Sequence, residues 1–308
     1  MGLAPVVLFA FKRPLHTKAT LDALSTNVNA QYTKLYVFID GLKPGVVSDD
    51  FKNHQEVIDL VKTYNWPGEK EVFVSDVNKG LATSVVDGVS SILNKHKRII
   101  VLEDDLVTSV HFLEYMNQAL DKYKNSNEVA CISGYVYPLK QKFDSAYFVK
   151  GADCWGWATW DTKWKSVFDN NPGKLLKQLT EQKLLKQFNF NDSYPYETML
   201  KDRVNGKNQS WAIVWYASAF LKNKLCLYPA QSLVHNIGND GSGTHTELFT
   251  DKFDADYHKA KMPLLPNNIA ESEIARNEFE IFFRDLTGNK KQTIVTKVKH
   301  KIKSIFGL

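Results

Sequence analysis

The chain has 308 residues, 44% of them hydrophobic, which excludes a disordered or fibrous protein and leaves room for a sizeable core in one large domain or two tightly fused ones. Its formal net charge of +5 sits in the tail: without Lys290, Lys291, Lys297, Lys299, Lys301 and Lys303 it becomes −1, which argues against a body-wide basic field for nucleic acid. Three cysteines (Cys131, Cys154, Cys226) are odd in number and lack metal-ligand spacing, which argues against a disulfide framework and for a reducing compartment.

Pro5 to Phe11 reads as a first strand. This run is too short to span a bilayer, and Lys12-Arg13-Pro14 after it does not resemble a cleavage site. Met1-Gly2 lacks the Ser or Thr at position six of a myristoylation signal. A helix follows over Thr17 to Ser25, then a strand over Leu35 to Ile39 that ends at Asp40-Gly41. Asp49 to Tyr64 reads as a helix, Glu71 to Ser75 as a strand, and Leu81 to Asn94 as a helix with Val85, Val89 and Ile92 on one face. The fourth strand, Arg98 to Leu102, is apolar after Arg98 and mostly β-branched, the pattern of a strand buried on both faces. It runs into Glu103, Asp104 and Asp105, and a helix is expected over Phe112 to Tyr123.

Beyond residue 128 the pattern changes. Val129 to Ser133, Ala146 to Val149 and Leu225 to Tyr228 read as strands, Leu175 to Phe188 and Trp211 to Leu221 as helices, and Cys154 to Trp160 as an aromatic loop. Asn236 to Thr246 is a loop rich in Gly, Asp and Asn, flanked by His235 and His245. We divide the chain into a nucleotide-binding half (1–128), an acceptor half of the same domain (129–288) and a basic tail (289–308), with both halves sharing one sheet.

Strand and helix alternate at short spacing through the first half. This predicts right-handed crossovers and an α/β, doubly wound, mostly parallel sheet with helices on both faces. In the usual order the first strand lies between the second and the fourth, and ligands bind past the carboxyl ends of such strands. Arg13, Asp40 and Asp104-Asp105 would then meet in one crevice. Three adjacent acids repel, and a divalent cation or a cationic ligand would remove that cost; a strand end opening into solvent fits the same acids. Hard cations such as Mn2+ or Mg2+ take carboxylate oxygens and share a phosphate with them.

With these residues placed, the sequence resembles glycosyltransferases of the GT-A fold, the bacterial family 2-like enzymes related to N-acetylglucosaminyltransferase I. The resemblance rests on Ile100-Val-Leu-Glu-Asp-Asp-Leu-Val107 followed by Phe112-Leu-Glu-Tyr115. In order along the chain it adds Phe11-Lys-Arg-Pro14, Phe38-Ile-Asp-Gly41, Trp155-Gly-Trp157 and Leu233-Val-His-Asn-Ile-Gly238. It implies a Rossmann-like GT-A fold over about residues 5 to 247 and transfer from a nucleotide sugar. By the same resemblance Asp105 binds the metal, Asp104 and Glu103 contact the donor's ribose and sugar, Arg13 meets the nucleotide, and Asp40 reads the uracil. The Trp155-Gly156-Trp157 loop would close over donor and acceptor. The family's general base is an acid beside a Trp that opens a helix; the matching position here is Gln209, in Gln209-Ser-Trp211. An amide cannot accept the acceptor's proton, so Glu197 or Asp153 would have to substitute, or the chain is weakened.

Each residue also has a plainer reading. Asp40 before Gly is an ordinary turn residue, and Arg13 could simply pair with an aspartate. Asn78-Lys79-Gly80 could hold an anion on backbone N–H groups or merely cap a helix. The tryptophans could be core, though clustering around Gly156 favours a substrate-facing role for Trp155 or Trp157. His235 and His245 could be structural, or lid residues, with His235 as a third metal ligand. In the tail, Ile294, Val298, Ile302 and Ile305 follow a helical period with lysines off the stripe. Such a helix can lie on an anionic membrane or pack on the body.

The leading expectation is a metal-dependent, inverting glycosyltransferase that moves a sugar from a UDP-sugar to a glycan or lipid-linked acceptor in bacterial surface polysaccharide synthesis. It would be cytoplasmic, attached peripherally to the inner face of the membrane, with no nucleic-acid partner. A degenerate relative that only binds nucleotide sugar or glycan is the alternative. A nucleotidyltransferase, which also uses paired carboxylates and a metal, would favour a Gly-rich basic loop near the first strand, and Phe9-Ala-Phe-Lys-Arg-Pro14 is not one.

Overall fold

The computed structural model describes residues 2–46, 49–241, 250–258 and 260–288. His245 and the tail from residue 289 on, including its expected amphipathic helix, lie outside the described residues.

The first half runs β1 (Val6–Ala10), α1 (Pro14–Ser25), β2 (Leu35–Ile39), α2 (Asp49–Thr63), β3 (Lys70–Val74), α3 (Leu81–His96), β4 (Arg98–Glu103), β5 (Leu106–Thr108) and α4 (Phe112–Tyr123). The second half runs β6 (Val129–Ser133), β7 (Tyr147–Lys150), β8 (Trp157–Trp160), α5 (Asp161–Val167), α6 (Pro172–Glu181), α7 (Leu185–Phe188), α8 (Tyr196–Val204), α9 (Trp211–Leu221), β9 (Leu225–Tyr228), β10 (Val234–Asn236) and α10 (Glu273–Thr287). Caps set several starts. Pro14 opens α1, where its missing N–H costs nothing, and the Ser210 and Ser272 hydroxyls accept from the backbone N–H of Ile213 and Ala275 to start α9 and α10.

Strands from both halves form one eight-stranded sheet in the order β3-β2-β1-β4-β8-β6-β9-β7. The first four are mutually parallel, with β1 between β2 and β4 as the crossover argument predicts. β8 is inserted antiparallel to both β4 and β6, β9 is parallel to β6, and β7 closes the edge antiparallel to β9. Helices cover both faces. Alternate residues of β1 divide between the two cores, Val7 and Phe9 on the side of α3 and α9, Val6 and Leu8 on the side of α1 and α4. The expected class, α/β with a largely parallel sheet between helical layers, is the one observed, and it is consistent with a GT-A-like fold.

The second half departs from expectation in several places. The segment read as an aromatic loop is a central strand from Trp157 on, which buries Trp157 and Trp160 and makes them core. Trp157 lies against Trp164, Trp211 and Trp215, at centroid distances of 5.8, 5.4 and 5.9 Å. The helix expected over Leu175 to Phe188 is two helices, because Lys183 turns left-handed at φ 57°. The loop expected from Asn236 begins one residue later, since Asn236 ends β10, which pairs with β5. Among the described residues no helix is long and apolar enough to cross a membrane.

Candidate functional site

The carboxyl ends of β1, β2 and β4 deliver the expected charged residues to one edge of the sheet. Arg13 leaves β1 at the start of α1, and its Nη2 donates to Asp104 Oδ1 and, at 2.7 Å, to Asp105 Oδ2. Asp104 also accepts from the Phe11 amide at 3.3 Å, and its own carbonyl accepts from the Thr20 hydroxyl at 2.9 Å, which fixes the turn between β4 and β5. The guanidinium therefore supplies the positive charge that the acids require.

Glu103 is left out of that ion pair. Burial first, then the charges of Asp105 and Asp104, push its carboxyl up to about 8, against the opposing pull of Arg13 and a hydrogen bond from Trp211. Burial likewise raises Asp104, opposed by Arg13. Since the unfolded Glu103 ionises near 4.5, the folded state carries the extra proton between about 4.5 and 8, and its contribution to stability is lost as pH rises through that window. Glu103→Gln should flatten this decline in the metal-free protein. Thermal melts across the window check it, and an unchanged slope in the variant would remove Glu103 as its source.

Asp40 and the start of α3 form a second group. The Asp40 carboxylate accepts from the backbone N–H of Lys79 at 2.9 Å, of Gly80 at 2.8 Å and of Gly41 at 3.0 Å, with the Asn78 amide at 3.4 Å. The anion held at this helix start is thus Asp40 itself, and the Lys79 and Gly80 amides are engaged with it. Gly80 has φ 78°, and a Cβ there would lie 2.7 Å from Gln209 Oε1. A side chain at 80 would displace Gln209.

This contact joins the two groups. Gln209 lies over Gly80, and two residues on, the Trp211 indole reaches Glu103. The stretch at the base position of the resemblance thus spans from the acidic strand end to the Asp40 cap. The Trp211 contact had no signal in composition or periodicity; only the resemblance singles out its neighbourhood.

Gly238 is a further contributor with no role assigned from the sequence. A Cβ there would crowd Asp105 Oδ2 and come within 3.0 Å of Arg13 Nη1, so any side chain at 238 would have to push the ion pair aside. The turn is tied to α1 by His16 Nε2 and Asp240 Oδ2 at 3.1 Å. Ile237 N–H donates to the Asp105 carbonyl at 2.9 Å, fixing β10 against the acids. His235 projects from that strand with its ring parallel to Tyr257 at 5.6 Å; burial lowers its pKa, with Asp254 opposing, and its Nδ1 is buried without a partner among the described residues.

The remaining expected residues are placed as follows. Asp153 accepts from the Cys154 and Trp155 amides at 2.7 and 3.2 Å and from the Tyr228 hydroxyl at 3.2 Å, and burial raises its carboxyl. It organises the turn into β8. Glu197 is paired with Lys201 on α8 at 2.5 Å. Of the tryptophans flanking Gly156, Trp155 is partly exposed, edge-on to Tyr135 at 4.7 Å, whereas Trp157 is fully buried.

Among the described residues no three His, Cys, Asp or Glu side chains lie close enough to hold a metal by themselves. The donor set suits a hard cation in the mode where one or two carboxylates bind it and phosphate oxygens and water complete the shell. Chemically, the edge offers one guanidinium, a cluster of acids one of which keeps its proton to about pH 8, and an amide, beside an indole.

No family model and no curated protein matches this chain. Among solved structures it is similar to S. aureus TarS, at 11% identity and TM-score 0.40, over 74% of this chain and 36% of that one. It is also similar to the glycosyltransferase GlyE in Streptococcus pneumoniae TIGR4, at 11% identity and TM-score 0.32, over 66% of this chain and 43% of that one. The chain thus spans less than half the length of either.

Proposed function

We propose that the chain is a metal-dependent glycosyltransferase that moves a sugar from a UDP-sugar to a glycan or lipid-linked acceptor with inversion. The observation that carries the reading is the junction at the carboxyl end of β4, where Arg13, Asp104, Asp105, Glu103, Trp211 and Gln209 converge on one edge. Breaking the bond from a sugar to a nucleoside diphosphate releases an anionic leaving group, and a bound Mn2+ or Mg2+ would offset that charge. Asp105 would hold the cation, and His235 of β10, whose pKa burial lowers and whose Nδ1 has no partner among the described residues, would support it. Arg13 would exchange part of its pairing with the acids for the diphosphate. Asp40, braced by the α3 amides, would present its edge to the uracil, and Glu103 and Asp104 would contact the donor's sugar and ribose. Trp155, the partly exposed member of its pair, would face the acceptor.

Gln209 favours a second reading, a relative that binds donor or glycan without efficient transfer. Release of UDP during incubation with a panel of UDP-sugars and Mn2+ tests the proposal: steady release supports transfer, and tight UDP-sugar binding without release supports the second reading.

The six lysines of the tail would hold the protein to an anionic membrane, each contributing about 1 kcal/mol near such a surface. Deleting residues 290–308 should weaken pelleting with anionic vesicles and leave turnover on a soluble acceptor intact. Equal pelleting of both proteins would sink the tail's role.

A further inference from the structure

The acceptor half contains a cavity of about 410 Å³ that none of the residues above explains. It opens where the chain leaves β6 and β9, and Tyr147 at the start of the antiparallel β7 forms part of its wall. Because β6 and β9 run parallel to β4, it lies on the same edge of the sheet as the acids. From β4 to β6 and β9 is two to three strand spacings, about 10–15 Å at the usual separation.

Three rings line it, Tyr137, Phe143 and Tyr147, each packed against another ring. The Tyr137 ring lies 5.1, 5.0 and 5.0 Å from Phe279, Phe282 and Phe283 of α10, and Phe143 lies 4.3 Å from Tyr147. A row of edge-on rings runs from the Gly156 turn into the cavity: Trp155 to Tyr135 at 4.7 Å, then Tyr135 to Tyr137 at 5.4 Å. Polar groups alternate with the rings: Gln141 and Gln231 bring amides, Ser232 a hydroxyl that donates to the Val234 carbonyl, and Lys142 and Asp256 one charge of each sign, so the lining has no excess cation for a phosphate. Tyr147 is 6% exposed, and its hydroxyl has no hydrogen-bond partner among the described residues. A buried hydroxyl without a partner costs free energy, which a ligand hydroxyl that reached it would recover.

Aromatic faces beside an amide, a carboxylate and an unsatisfied hydroxyl suit a neutral pyranose, which offers C–H faces to rings and hydroxyls to polar groups. We propose that this cavity is a second saccharide site, which takes a neutral pyranose unit of the acceptor some way along the glycan from the reacting hydroxyl. The role as an acceptor site rests on the glycosyltransferase reading; the binding of a pyranose does not. Occupancy would orient the glycan along the row of rings toward Trp155 and set a preference for acceptors long enough to reach both places.

Saturation-transfer NMR on the full chain, with the methyl pyranosides of glucose, galactose, mannose and N-acetylglucosamine as probes, tests it without any transfer reaction. We expect transfer to at least one probe, weakened about tenfold in affinity by Tyr147→Phe, which removes only the hydroxyl, and also by Gln231→Ala. Asp105→Ala, on the other part of the edge, should leave it unchanged. Absence of transfer to all four probes would overturn the site, as would transfer indifferent to both cavity variants. UDP release in the same variants separates the two ideas. Release with no pyranose effect removes the second site alone, and pyranose binding with no release from any UDP-sugar leaves a saccharide site on a protein that is not a transferase.

Discussion

Asp105→Ala abolishes the Mn2+- or Mg2+-dependent part of UDP binding and leaves the protein folded. The side chain stands at the turn from β4 to β5, mostly covered, with Arg13 as its charged partner at 2.7 Å. Removing it deletes one of three crowded carboxylates. The Glu103 carboxyl, which Asp105 helps to push up, should therefore relax downward, and the loss of an ion pair is offset by the loss of repulsion. Arg13 keeps Asp104, so the fold of the edge survives. The cation has no comparable substitute, because no three ligating side chains cluster anywhere among the described residues. Calorimetry with UDP, with and without metal, reads the effect. Metal-dependent affinity equal to that of the parent protein would remove Asp105 as the ligand. A melting temperature well below the parent's would instead make it structural.

The reading of this edge was available from the sequence because its frame depends on few things. β1, β2 and β4 are short apolar runs, and right-handed crossovers leave β1 between the other two, so Arg13, Asp104 and Asp105 had to meet. What the acids do to one another once there depends on details no pattern carries. That Asp40 would take the Lys79 and Gly80 amides for itself is a matter of loop geometry, as is the passage of Gly238 over Asp105.

Where the elements differ from expectation, the causes are specific. β5 and β10 are three residues each, too short to show alternation, and they exist because each pairs with the other. β8 reads as a loop because Trp-Gly-Trp mimics an exposed aromatic turn. Its central place in the sheet, between β4 and β6, is what makes Trp157 and Trp160 core. Nothing local announces the break between α6 and α7, where a lysine adopts the left-handed conformation. Nothing in the pattern announces α5, α8 or α10. α10 is decided by tertiary contact, since its Phe279 and Phe283 find partners in Tyr137 and Phe190 far away in sequence.

Gln209→Asp raises the rate of sugar transfer by about 10²- to 10⁴-fold, the usual worth of a positioned general base. An inverting transfer is a single displacement, so the acceptor hydroxyl must lose its proton as the new bond forms, and an amide cannot take it. Gln209 Oε1 lies over Gly80, and Trp211, two residues on, ties the same turn to Glu103. Ser210 caps α9 through its hydroxyl, so the backbone here is held independently of residue 209, and the substitution should leave it in place. Neither alternative base is as free. Asp153 uses both oxygens to accept hydrogen bonds from the turn it holds and from Tyr228, and Glu197 is paired with Lys201. Initial rates of Gln209→Asp beside Glu197→Gln, on the best UDP-sugar found, decide the matter. A gain in the first with little change in the second places the base at 209; no gain in the first with collapse of the second moves it to Glu197. No gain in the first, with the second and Asp153→Asn both active, would mean that none of the three takes the proton.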